Sequence, residues 1–281
     1  MSIIAENDVT VPRAAETSAG NLHQRVLSAV VLMPAVLALV YLGGWPFAAL
    51  VAVAAVLMIV EWQRLTGGGR DDLIAAAQSL IALIAILLTL QQAVGAAIVA
   101  LLAGVLLVAG LARWRGARAS WPALGTLWLV LPCLALVWLR SATAAGLELL
   151  FGLLLVVWAC DTAAYFVGRG FGGPRLAPRW SPNKTWAGLA GGCLGSAAVA
   201  GLWAHATGLA SAGEAAAAGA TLAIVAQLGD ISESGVKRRF GVKDSGNLIP
   251  GHGGLLDRVD GLLFAAPATV VMVLLGGRGL A

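Results

Sequence analysis

Four aspartates in this 281-residue chain sit where a membrane protein can least easily hold charge: Asp161, Asp230, Asp257 and Asp260 all fall at the ends of apolar runs. An unpaired Asp inside a membrane helix costs about 2.5–3.5 kcal/mol on insertion scales. Three separate segments contribute these carboxylates, and a cation between them is the least costly way to keep them close. Oxygen ligands without Cys or His pairs suit Mg²⁺, which takes one or two carboxylates together with water and substrate phosphate. Lys237, Arg238, Lys243 and Arg258 share a stretch with three of the aspartates, and Lys184 lies in S-P-N-K-T-W on another loop. Basic side chains beside a carboxylate-bound metal match a polyphosphate. The run P-G-H-G-G at 250–254 lets backbone approach an anion closely, and His252 lies within it. No G-x-x-x-x-G-K-[ST] loop and no G-x-S-x-G elbow is present. The residues therefore point to metal-assisted phosphate chemistry without a protein nucleophile.

Each feature has a plainer reading when taken alone. Asp161 pairs readily with Arg169 at a helix end. Lys237, Arg238 and Arg239 read as anchors on acidic lipid headgroups, and His252 as a loop hydrogen bond. Glu61, Trp62 and Arg64 read as an interfacial anchor, Glu148 and Glu214 as solvated, and His205 as structural. Trp114, Trp121, Trp138 and Trp203 fit interfacial belts. The 32 positions from Gly229 to Asp260 resist such a reading as a set, because they hold ten of the chain's Asp, Glu, Lys and Arg residues between two long apolar runs.

The elements that must position these groups are membrane helices. The chain is 59% hydrophobic and 11% charged, with mean hydropathy +0.88. A soluble domain carries about 25% charged residues. The fold class expected is an all-α polytopic membrane protein with about nine transmembrane helices, at 26–42, 46–60, 73–90, 94–111, 121–139, 147–168, 186–206, 210–230 and 261–277. The second span is short for a bilayer. Gln91-Gln92-Ala93 joins the third and fourth as a tight hairpin. With the N-terminus cytoplasmic and the C-terminus periplasmic or outside, sixteen of the eighteen Lys and Arg residues fall on the cytoplasmic side, leaving Arg140 and Arg278 outside. Residues 1–24 read as a cytoplasmic tail without signal-peptide character. Residues 25–145 form an N-terminal set of helices, and 146–281 a catalytic region with cytoplasmic loops at 169–185 and 231–260. Cys133, Cys160 and Cys193 lie in apolar runs and read as packing residues.

The run from Ser234 to Asp260, S-G-V-K-R-R-F-G-V-K-D-S-G-N-L-I-P-G-H-G-G-L-L-D-R-V-D, resembles the signature of the phosphatidate cytidylyltransferases, or CDP-diacylglycerol synthases. D-T-A-A-Y-F-V-G-R-G-F-G at 161–172 and S-P-N-K-T-W-A-G at 181–188 resemble the same family, so the motif likeness covers about the last 125 residues. The resemblance implies a plasma (inner) membrane enzyme, multi-pass and homodimeric, whose active site faces the cytoplasm. It would join CTP and phosphatidic acid within membrane lipids, need Mg²⁺ with K⁺ assisting, and bind no nucleic acid. By motif, Asp230 and Asp257 would hold the metal and, with Lys237 and Arg258, form the catalytic set. Asp161, Lys184, Ser234, Arg238, Lys243, Asp244, His252 and Asp260 would bind substrate. Asn183, Ala187 and Gly261 stand where the family often has Lys, Glu and Ser. Two other readings share part of this pattern. A transporter for an anionic solute or lipid would place its charges near mid-membrane between repeats, and a CTP-using polyprenol kinase would transfer the γ-phosphoryl group.

Overall fold

The computed structural model describes residues 30–67, 72–142, 144–246, 248 and 253–276. The tail at 1–24, His252 and Arg278 lie outside the described residues. The described chain is helical apart from one small hairpin. Its helices are α1 (Val30–Leu42), α2 (Gly44–Leu65), α3 (Asp72–Leu90), α4 (Val94–Trp114), α5 (Ser120–Ser141), α6 (Gly146–Phe171), α7 (Trp186–Thr207), α8 (Ala212–Arg239) and α9 (Leu256–Leu275). Eight of them, α2 to α9, are long and apolar enough to cross a membrane, and the protein is a multi-pass membrane protein. The first expected span is described only as the 13 residues of α1.

Three boundaries differ from expectation, each for a physical reason. Helix α2 has 22 residues, enough for about 33 Å, so the second span is not short. Hydropathy falls after Val60, but Glu61, Trp62, Gln63 and Leu65 all stay buried and the helix continues. Helix α8 runs nine residues past the expected end at 230. Gly235 costs only about 1 kcal/mol inside a helix, Glu233 and Lys237 pair at i, i+4, Lys237-Arg238-Arg239 suits the negative end of the helix dipole, and the next glycine, Gly241, turns the chain at φ 73°. Much of the expected loop at 231–260 is therefore helix. The expected loop at 169–185 becomes an antiparallel hairpin of β1 (Arg175–Ala177) and β2 (Ser181–Thr185). The α3–α4 hairpin is as tight as expected, and Gln92 at its turn has φ 63°.

Small residues bring the later helices together. A Cβ on Gly191 of α7 would stand 2.5 Å from Val167 of α6, and one on Gly195 would stand 2.6 Å from Ala163. Such stripes allow close helix contact where lipid offers no hydrophobic drive. Helix α5 carries the interior of the earlier half, with Leu129, Val130 and Leu139 fully buried. A buried polar knot ties α2, α3 and α5 together: Gln63 Nε2 donates to Gln78 Oε1 at 2.5 Å, and Gln78 Nε2 donates to Pro122 O at 2.8 Å.

Several groups whose composition suggests an interfacial or solvated place are packed inside the bundle. Trp62 is buried and donates to Trp121 O at 2.9 Å, while Trp138 is also buried. Trp121 packs edge-on against Phe240, just beyond α8, and Arg239 lies over its ring. These three tryptophans are packing pieces, whereas Trp114 remains exposed. Arg140 donates to the Val40 and Tyr41 carbonyls at 2.8 Å, closing the C-terminus of α1. Glu214 is exposed and completes a capping box with Ser211 at the start of α8. Glu148 Oε2 is buried without a hydrogen-bond partner rather than solvated. It lines an apolar cavity of about 430 Å³ at the ends of α6–α9 remote from the four aspartates.

Candidate active site

Helix α8 supplies the spine of the site. Asp230, Glu233, Ser234 and Lys237 fall at i, i+3, i+4 and i+7, a spacing that sets them on one face of a helix. Helix α9 meets α8 at Gly229, where an added Cβ would stand 2.6 Å from Asp260 O and press on Phe264. Only glycine permits this approach, and it brings Asp260, one turn into α9, beside Asp230. Asp161 near the middle of α6 lies within electrostatic reach of Asp230 and Lys184.

The hairpin delivers the lysine. Its tip residue Trp180 rests over Gly235 of α8. Thr185, last in β2, caps α7 by accepting from Gly188 N at 3.0 Å. Held between these points, Lys184 forms a salt bridge with Asp230 and donates to Gln227 Oε1 at 2.7 Å. Gln227 in turn reaches Cys160, so that cysteine closes a polar chain as well as packing.

Two helical turns past Asp230 along α8, Lys237 lies between two carboxylates, 3.2 Å from Glu233 Oε2 and 2.7 Å from Asp257 Oδ1. Asp257 also accepts from Ser245 N, from Ser245 Oγ at 3.0 Å and from Gly254 N at 3.0 Å. Its side chain is 8% exposed, against 30% for Asp230.

The structure thus brings together Asp161, Lys184, Asp230, Lys237, Asp257 and Asp260 of the expected set, with Ser234 half-buried on the same stretch of α8. Arg238, Lys243, Asp244 and Arg258 are exposed around it. Arg238 donates to Val242 O at 3.0 Å and so staples the turn after α8.

Two residues were missed. Glu233 was passed over because its role depends on α8 extending past 230; the i, i+4 spacing to Lys237 was the available signal. Glu61 was read as an interfacial anchor, yet it is 3% exposed. Its carboxylate accepts from Leu255 N at 2.8 Å and Leu256 N at 2.9 Å, and it lies 3.3 Å from Ser245 Oγ. Nothing near Glu61 in sequence signals a partner 194 residues away.

The donor set decides whether a divalent cation fits. Every candidate ligand is a carboxylate oxygen, the preference of Mg²⁺. Glu233 Oε1 is buried with no hydrogen-bond partner, which leaves a hard acceptor open beside Lys237. Among the described residues, no group of three or more His, Cys, Asp or Glu is arranged to hold a metal.

A profile described as the cytidylyltransferase family matches residues 23–275. The chain belongs to this family. It is also similar to proteins named phosphatidate cytidylyltransferase. One from Brucella suis is 42% identical over 259 residues, covering 88% of this chain and 91% of that protein. One from Pseudomonas aeruginosa is 36% identical over 272 residues, covering 92% and 99%. One from Bacillus subtilis is 41% identical over 130 residues, covering 46% and 48%. The two long matches span both halves of the chain, including α2 with Glu61.

Proposed function

We propose that this membrane cytidylyltransferase transfers the cytidylyl group of CTP to phosphatidate, forming CDP-diacylglycerol and pyrophosphate for phospholipid synthesis. The observation that carries this reading is the pair of lysine–carboxylate centres, Lys184–Asp230 and Lys237–Asp257, brought to one end of the helix bundle by α8 and α9.

A phosphate oxygen of phosphatidate attacks the α-phosphorus of CTP. The new oxygen–phosphorus bond forms as the bond to the β-phosphate oxygen breaks, and pyrophosphate leaves with that electron pair. The attacking oxygen is already ionised, so no protein base is required, in keeping with the lack of a nucleophile–base pair. The barrier is the approach of one anion to another. Lys184, reaching Asp230 from β2, and Lys237, on the same face of α8 as Asp230, are placed to neutralise phosphate oxygens in the transition state. Arg258, Arg238 and Lys243 add positive charge around the entrance, with Ser234, Asp244 and His252 as further substrate contacts.

Mg²⁺ is the cofactor this reading calls for, with K⁺ assisting. Asp230 and Asp257 would hold it, and Asp260 and Asp161 lie near Asp230 to add negative charge. When bound it would neutralise phosphate oxygens and stabilise the leaving pyrophosphate. Holding a cation at Asp257 means exchanging the Lys237 ammonium for it.

On the topology read from the sequence, sixteen of the eighteen basic residues fall on the cytoplasmic side, which supports a cytoplasm-facing site in the plasma membrane, with the N-terminus inside and the C-terminus outside. Acyl chains stay in the bilayer while the headgroup enters between α6, α8 and α9. A homodimer completes the proposal. The test is to incubate purified protein with cytidine-labelled CTP, Mg²⁺ and phosphatidate. Lipid-soluble cytidine label with release of pyrophosphate supports the reading. Lipid phosphorylation with release of CDP, or no chemistry, overturns it.

A further inference from the structure

Helix α9 begins without a cap of its own. Its N-cap residue is Leu255, which has no polar side chain to satisfy the first backbone N–H groups. Glu61, at the far end of α2, does this instead by accepting from Leu255 N and Leu256 N. Ser245 Oγ lies between the Glu61 and Asp257 carboxylates, 3.3 Å and 3.0 Å away, with one proton for the two. Gly246 and Gly254 crowd the same carboxylate: a Cβ on Gly246 would stand 3.2 Å from Glu61 Oε1, and one on Gly254 2.8 Å from Oε2. One buried carboxylate from the N-terminal half thus holds both ends of the chain between Ser245 and Leu255, and through Ser245 and α9 it holds Asp257.

We propose that Glu61 is a positioning residue for the cytidylyl transfer, fixing Asp257, and with it Lys237, by capping α9 and holding Ser245. This rests on the activity proposed above. Removing a group that orients a reacting residue costs roughly 10–100-fold in activity. A capping residue that served stability alone would lower the amount of folded enzyme and leave the turnover of the folded fraction intact.

The experiment compares full-length wild type, Glu61→Gln, Ser245→Ala and the double variant, purified in detergent and assayed with CTP, Mg²⁺ and phosphatidate. Folded fraction is measured by size-exclusion chromatography and thermal unfolding. The expected result for Glu61→Gln is a kcat per folded molecule reduced at least about tenfold, with KM for phosphatidate within about twofold. Ser245→Ala, the milder change, lowers kcat several-fold. Because both act through Asp257, the double variant is little worse than Glu61→Gln alone. Wild-type kcat per folded molecule in Glu61→Gln overturns the proposal, as do single losses that simply multiply. If Glu61→Gln does not fold, Ser245→Ala decides: full turnover there overturns the proposal, and reduced turnover upholds it. Wild-type protein that makes no CDP-diacylglycerol would instead sink the activity itself.

Discussion

Asp230, inside α8, and Asp257, in the first turn of α9, each lie beside a lysine, but their surroundings differ in kind. Asp230 is 30% exposed, has Lys184 as its partner, and sits next to two other aspartates. Asp257 is 8% exposed and takes hydrogen bonds from Lys237, Ser245 and Gly254. The first is held by a two-stranded hairpin leaning on α8. The second is set in a frame built from α2, α8, α9 and the Ser245 turn. Negative charge at Asp230 is gathered faster than it is neutralised, which suits a place that receives a cation with its substrate. Charge at Asp257 is already met by Lys237 within a fixed frame, so a cation bound there must first displace the ammonium. A site that must bind and release a polyphosphate needs both.

The largest effect is expected on breaking the fixed centre. Asp257→Asn keeps the size of the side chain but leaves Lys237 with Glu233 alone in a buried setting. Turnover should fall at least about a hundredfold. Stability should fall as well, by about 1–3 kcal/mol, since an amide cannot accept from all the donors that Asp257 satisfies and leaves buried groups unpaired. Thermal unfolding beside a turnover assay separates the two losses. Asp230→Asn is the matching change at the open centre. It should lose as much turnover but less than about 1 kcal/mol of stability, because a partly exposed pair contributes little. Equal destabilisation by the two variants would erase the contrast between the centres.

The contrast itself was only partly legible in the sequence. The apolar runs announced a helical membrane protein, and the charged stretch at 229–260 announced its chemistry, because both signals are local in the chain. Asp230, Lys184, Lys237 and Asp257 could be named, but not paired. Pairing depends on where α8 ends, and hydropathy tracks the membrane rather than the helix: it falls at 230 while hydrogen bonding and the Glu233–Lys237 pair carry the helix to Arg239. Glu61 was hidden for the opposite reason. Its neighbours Trp62 and Arg64 form the composition of an interfacial anchor, and its real partners are backbone N–H groups, which leave no trace in side-chain identity. Gly229 was visible as a residue, but that its missing Cβ makes room for Asp260 O is a fact of three dimensions.

That glycine offers a way to disturb the relation between the centres without touching either charge. A methyl group at 229 must push α9 away from α8, since the atom it meets is backbone. Gly229→Ala should cost about 1–3 kcal/mol through overpacking. It should also reduce turnover roughly tenfold, as expected when reacting groups are misplaced by a fraction of an ångström. If turnover survives while stability falls, the spacing of Asp230 and Asp260 does not matter to the reaction and the two centres work independently.

The smallest effect is expected at Arg238, which the motif groups with Lys237 although the structure separates them. Lys237 faces inward between two carboxylates, while Arg238 is exposed and donates to Val242 O. Arg238→Ala should change stability by less than about 0.5 kcal/mol, as surface substitutions usually do. Its effect on catalysis should appear as a KM for CTP raised a few-fold with kcat unchanged, because a charge at the rim attracts a tetra-anion without touching the reacting atoms. Raising the salt concentration should abolish the difference from wild type, since an exposed charge is screened over about 8 Å at physiological ionic strength. A salt-independent loss of kcat in this variant would move Arg238 from the rim to the reacting phosphates, and the division between a fixed inner frame and an open outer shell would then have to be redrawn one residue further along α8.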